Sequence, residues 1–230
     1  MNPTSRAVLI IAAVLIGAST TATCAQDASV DQLIKKLPPP ESVAKTVRPT
    51  DPALRDPLAK QVIDSARAMN FGNALGLSQK LAARYPKSVV AHIWHGQLAL
   101  MLRKFPEASG AFRKALLIQP NLAIGYLGLG MTEAWQNRLA AAMSDYRQVT
   151  RLAPKADIGW IALSGCAEKL GNKRESLEYA RHATTVAPSS FAAWLQLSRE
   201  EGISGNKQAA SKALARANQL RRTAGKSSPR

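Results

Sequence analysis

Residues 123–156 read AIGYLGLGMTEAWQNRLAAAMSDYRQVTRLAPKA, and the proline near the end of this stretch, Pro154, has counterparts 34 residues away on both sides. Pro86, Pro120, Pro154 and Pro188 follow one another at that constant interval. A strict period of this length marks a stack of helix–turn–helix units. With each proline set as position 32 of its block, position 4 holds Tyr126, Trp160 and Trp194, and position 8 holds Gly96, Gly130, Ser164 and Ser198. Position 20 holds Ala74, Ala108, Ala142, Ser176 and Ala210, and position 24 holds Phe112, Tyr146, Ala180 and Leu214. Position 27 holds Ala115, Ala183 and Ala217.

These residues in this register resemble the tetratricopeptide repeat (TPR) family over roughly residues 55–222. The resemblance implies an all-α fold, a right-handed α-solenoid of about five TPR helix–turn–helix repeats. Small residues at positions 8 and 20 let the two helices of a repeat approach closely, and the bulky residues at 4 and 24 fill the space between repeats. A single hairpin cannot bury its apolar face, so stacking supplies the core. Gly130→Leu is accordingly expected to overpack a helix contact at a cost of about 1–3 kcal/mol. The blocks are a degenerate repeat 55–88, then 89–122, 123–156, 157–190, and a last repeat with its capping helix at 191–224. Residues 225–230 are read as a basic disordered tail.

The N-terminus has another character. Arg6 precedes an apolar run from Ala7 to Ala18, too short to span a bilayer comfortably but suited to a signal peptide of residues 1–25. Thr23-Cys24-Ala25 fits cleavage after Ala25; the alternative is a lipid anchor on Cys24, against which Thr21 and Thr23 depart from the usual lipoprotein pattern. The expected destination is export, to a bacterial periplasm. Residues 26–54 are read as a short helix and a proline-rich linker. Val30, Leu33, Ile34 and Leu37 recur at helical spacing before Pro38-Pro39-Pro40 ends the pattern. Asp56-Pro57 restarts order as an N-cap followed by proline at the first helical position.

Thirty-one Lys and Arg against 15 Asp and Glu leave a net charge of +16, which raises the question of an acidic partner. The basic residues are scattered, and aromatic residues make up only 5%, which is little for base stacking; no nucleic-acid partner is expected. No cofactor is expected either. His92 and His95 lie three apart with no sequence-adjacent acid or thiol to complete a metal site, so no metal is expected. Gly125-Tyr-Leu-Gly-Leu-Gly130 lies inside a predicted helix with no Lys-Ser/Thr after it, so it is not a phosphate loop. Cys166, at position 10, is read as a buried thiol. The chain is read as a non-enzyme.

In the TPR family the concave groove is lined by positions 2, 5, 9 and 12 of the first helix. The corresponding candidates are Ile124 and Ile158 at position 2, Ile93, Leu127, Ile161 and Leu195 at position 5, and Gln97, Met131 and Arg199 at position 9. The row either binds an apolar stretch by packing, a partner's amphipathic helix or the protein's own N-terminal segment, or is covered and belongs to the core. The leading expectation is a protein-interaction scaffold of the cell envelope, with a protein or peptide partner. The alternative is an anionic-surface binder, a lipid or an acidic polymer, acting through the cationic C-terminal helix and tail. Within 199–230, eight basic residues face only Glu200 and Glu201.

Overall fold

The computed structural model describes residues 51–226, and the 34-residue period appears in it as helix ends. After a short 3-10 turn (Pro52–Arg55), ten α-helices follow among the described residues. They are α1 (Pro57–Arg67), α2 (Phe71–Arg84), α3 (Val89–Met101), α4 (Phe105–Ile118) and α5 (Ala123–Trp135). Next come α6 (Leu139–Leu152), α7 (Asp157–Lys169), α8 (Lys173–Val186), α9 (Phe191–Ile203) and α10 (Lys207–Lys226). Helices α2, α4, α6 and α8 each stop two residues before one of the four prolines. A proline disfavours the helical conformation in the residue before it and cannot donate to a continuing ladder.

The starts are capped by side chains where the sequence supplies them. The Asp56 carboxylate accepts from the Leu58 amide at 2.8 Å, directly before Pro57. Ser88 and Ser190, one in each of two repeats, accept from Ala91 and Ala193 at 3.0 and 3.2 Å. Such caps satisfy amides that the helix leaves without partners.

The turn inside every hairpin uses one residue in the left-handed region, again at the 34-residue period: Met69, Arg103, Asn137, Gly171 and Gly205, with φ of 58°, 56°, 60°, 81° and 83°. Gly171 and Gly205 adopt it without a side-chain penalty, and three side-chain-bearing residues are held in the same conformation. That conformation costs an L-residue about 1–2 kcal/mol.

The chain divides into two compact units, 51–138 and 139–226 within the described range. In the first, each of α1 to α5 packs on the next, and α3 also touches α5. In the second, α6 to α10 do the same, and α7 also touches α9. Phe112, buried in the first unit, shows how the repeat pattern works. A Cβ placed on Gly96 of α3 would lie 2.8 Å from its ring, and one on Gly128 of α5 would lie within 2.7 Å. The ring therefore fills the space that two missing side chains leave. In the second unit the close approach at positions 8 and 20 carries hydroxyls instead: Ser176 Oγ donates to the Ser164 carbonyl at 2.9 Å, and Ser198 Oγ to that of Ala210 at 2.8 Å.

Position 24 is buried at Phe112, Tyr146 and Ala180, but Leu214 is 42% exposed. The expectation that Leu214 fills an inter-repeat space fails at this one place, because no described helix follows α10. Ser211, Lys212, Arg216 and Arg221, all exposed, give α10 the polar outer face a terminal repeat needs.

Candidate functional site

The candidate row along the first helices is for the most part buried. In the first unit Ile93, Ile124, Leu127 and Met131 are buried, Leu127 being only 2% exposed, and Gln97 is half-buried. In the second, Ile158 and Ile161 are buried, Leu195 is half-buried and Arg199 is exposed. Arg199 is engaged by Glu168, with Nη2 2.6 Å from Oε1. The side chains accessible to a partner are thus the polar or marginal members, Gln97 in one unit and Leu195 with Arg199 in the other.

An accessible apolar surface exists elsewhere in the first unit. An open groove of about 800 Å³ runs between α2 and α4 with α3 as its floor. Gln79, Ala82 and Ala83 of α2 form one wall, Gly110, Ala111, Lys114 and Leu117 of α4 the other, and His92 and His95 the base. Leu117 at its rim is 82% exposed. A Cβ on Gly110 would meet nothing within 4 Å, so the wall is low as well as apolar. Sequence reasoning missed this groove because it followed the first helix of each repeat. The signal available was the replacement of bulk by Ala and Gly along one face of α4.

Local differences in the register explain the opening. Positions 4, 23 and 26 of the fourth repeat are Trp160, Tyr179 and His182, and their rings close on one another. The Trp160 centroid is 4.0 Å from that of His182 and 6.1 Å from that of Tyr179. The same positions of the second repeat are His92, Ala111 and Lys114. His92 uses its ring nitrogen on the Pro86 carbonyl at 3.0 Å, as Trp194 does with Pro188 at 2.9 Å.

At the base of the groove, folding joins groups that the sequence keeps apart. His95 Nε2 lies 3.2 Å from Glu107 Oε1, and His95 Nδ1 lies 3.3 Å from Ser78 Oγ. Glu107 is twelve residues beyond His95, which is why no acid was visible beside the two histidines. The trio has the residue types of a hydrolytic Ser–His–acid set, yet Ser78 is fully buried and donates its hydrogen to the Leu75 carbonyl at 2.7 Å. A nucleophile must present its oxygen to a substrate, and this one faces helix backbone. Burial pushes His95 below the usual imidazole range, with His92, Lys114 and Lys104 acting in the same direction and Glu107 opposing them. The trio is therefore a polar network in which His95 and Glu107 line the groove and Ser78 lies buried behind them.

Two other titratable groups are shifted by their surroundings. Burial pushes the Cys166 thiol up to about 11, so it stays protonated and unreactive. Burial likewise raises Glu200 to about 7; its carboxyl accepts from Gln196 Nε2 at 2.7 Å, and that amide also reaches Ser164 Oγ at 3.1 Å. Among the described residues no group of three or more His, Cys, Asp or Glu side chains is arranged to hold a metal ion. No described helix is long and apolar enough to cross a membrane.

Comparison with solved structures supplies the fold. MamA matches with a TM-score of 0.61 at 15% identity, over 72% of this chain and 96% of that one. The chain has the tetratricopeptide-repeat fold. A form of MamA from Desulfovibrio magneticus RS-1 beginning at residue 41 gives the same TM-score, 0.61, at 15% identity over 72% and 94%. PilW, a widely conserved type IV pilus biogenesis factor, matches at 0.62 with 19% identity over 70% of this chain and 74% of its own. No protein-family model matches the chain, and no curated protein sequence does. The TPR likeness therefore rests on tertiary structure together with the register of the repeats.

Proposed function

We propose that this protein is a non-catalytic protein-interaction scaffold of the bacterial cell envelope. The observation that carries the proposal is the unfilled apolar groove between α2 and α4, with Leu117 standing exposed at its rim. Exposed large apolar side chains around a concavity are the usual mark of a binding surface. The withdrawal of Ser78 from solvent supports a non-catalytic role for the trio at its base. The apolar run 7–18 and the likeness to a pilus biogenesis factor support an envelope location. Of the candidate row, Gln97 is the member in the same unit that is not fully covered. The partner is a protein segment with apolar side chains that enter the groove.

In-cell photo-crosslinking from position 117 tests this. A dominant adduct with one envelope protein, retained at high salt, is the expected result. Absence of any adduct from position 117 and from position 97 overturns it.

A second reading follows from α10, which carries Lys207, Lys212, Arg216, Arg221, Arg222 and Lys226 and no acidic residue. It would engage an anionic surface, lipid or acidic polymer. Binding to anionic vesicles that collapses as salt rises past physiological ionic strength, where charges are screened over about 8 Å, would favour it. Salt-tolerant binding favours the groove.

A further inference from the structure

The groove of the second repeat has an occupant within reach on the same chain. In the fourth repeat the corresponding positions are closed by Trp160 against Tyr179 and His182. In the second, His92, Ala111 and Lys114 leave that space open. What completes it must bring apolar bulk from outside the helical hairpins.

The described structure begins beside this groove. The Asp51 carboxylate accepts from Ser88 Oγ at 2.8 Å and from the Val90 amide at 3.3 Å, at the start of α3. Pro86, two residues before Ser88, lines the groove. The fifty residues preceding Asp51 are thus anchored at the groove's edge. Among them, Val30, Leu33, Ile34 and Leu37 form one apolar face when placed at helical spacing.

The dimensions agree. From Glu107 to Leu117 the wall of α4 runs about 15 Å at 1.5 Å per residue, and residues 30–37 as a helix run about 11 Å. Thirteen residues, 38–50, separate this segment from Asp51 and allow a span of up to about 43 Å, so the segment can reach the groove beside Asp51. A tether of this kind gives an effective concentration on the order of millimolar, so even a weak apolar contact is populated.

We propose that residues 30–37 of this chain dock in the groove between α2 and α4, with Leu33, Ile34 and Leu37 supplying the bulk that rings supply in the fourth repeat. The proposal rests on the groove being the binding surface, and it makes the N-terminal segment an internal competitor of the external partner.

The test uses the full chain with benzoylphenylalanine at position 117, irradiated as purified dilute protein and mapped by peptide mass spectrometry. The expected result is an intramolecular adduct within residues 27–37, reduced about tenfold or more by Leu33→Asp/Ile34→Asp, since charges in an apolar groove are strongly disfavoured. A crosslinker at Leu170, exposed in the other unit, should give no such adduct. Absence of adducts in 27–37, or adducts indifferent to the double substitution, overturns the proposal. So does a yield that grows with protein concentration, which would assign the occupant to a second copy. The same variant in cells separates the two ideas. If position 117 captures a partner while self-adducts are missing, the scaffold stands and self-docking falls. If self-adducts form but no partner is captured with or without the double substitution, self-docking stands and the scaffold function falls.

Discussion

Replacing Gly128 by alanine should destabilise the first unit although alanine is the better helix former. A Cβ at this position falls within 2.7 Å of Phe112 Cδ1 and nearer still to two other atoms of the ring. Carbon atoms pack comfortably at about 3.5–4.0 Å, so the ring must retreat by about 1 Å. It has little room to move: Phe112 is buried, and the same ring atoms also lie close to Gly96, where an added Cβ would come within 2.8 Å. Overpacking of this kind costs about 1–3 kcal/mol, and the gain in helix propensity returns about 1 kcal/mol. The net expectation is a loss of up to about 2 kcal/mol. Gly76→Ala in α2 is the matched control, because its Cβ meets nothing within 4 Å and only the propensity gain remains. Urea titration followed by circular dichroism reads the difference between the two variants as a packing cost of about 1–3 kcal/mol. Combining Gly128→Ala with Phe112→Leu should relieve the clash, giving a coupling above about 0.5 kcal/mol. If Gly128→Ala proves as stable as Gly76→Ala, or if the two changes simply add, Phe112 is not clamped as described.

Four further outcomes follow from the same structure. Met69→Gly removes a side chain from a left-handed turn residue and should stabilise by up to about 1 kcal/mol, while Gly171→Ala should cost about as much; midpoints of thermal melting decide both. Leu127→Glu should unfold the first unit and not merely abolish binding, because its side chain is 2% exposed and a carboxylate there has no water; a folded, cooperative variant would reopen the row as a binding surface. Glu200, raised to about 7 by burial, contributes stability below its unfolded value near 4.5 that is lost as pH rises toward 7. The slope approaches about 1.4 kcal/mol per pH unit, and Glu200→Gln should flatten it in chemical denaturation across pH 4.5–7. Asp56 has the opposite sign. Arg84 chiefly, at 2.8 Å, with the Leu58 amide and Tyr85, holds its carboxyl below the usual aspartate range, so its contribution is present at neutral pH and is lost as pH falls through that range.

Much of the fold was legible because the information is periodic and local. Proline ends a helix through its own ring, and glycine accepts a left-handed turn through its own missing side chain, so Pro154 and Gly171 announce themselves without neighbours. Met69 and Arg103 hold the same turn conformation with no such signature, whereas Asn137 belongs to a residue type that tolerates it. The candidate row was legible as a register but not as a surface. Position 5 of the repeat is apolar by sequence, and only packing shows Ile93, Leu127 and Ile161 covered.

The amino-acid sequence by itself determined where helices start and stop, that they pair at a 34-residue period, and that small residues at fixed positions let them approach. The tertiary structure alone decided which apolar side chains are withdrawn and which, like Leu117, are left at a groove. It also set Glu107 against His95 and buried Ser78 beneath them. The physical reason is that helix termination depends on a residue and its immediate chain neighbours. Burial depends on what every other repeat places opposite that residue, and one substitution at a filling position, such as Ala111 where the fourth repeat has Tyr179, opens a surface that no local pattern records.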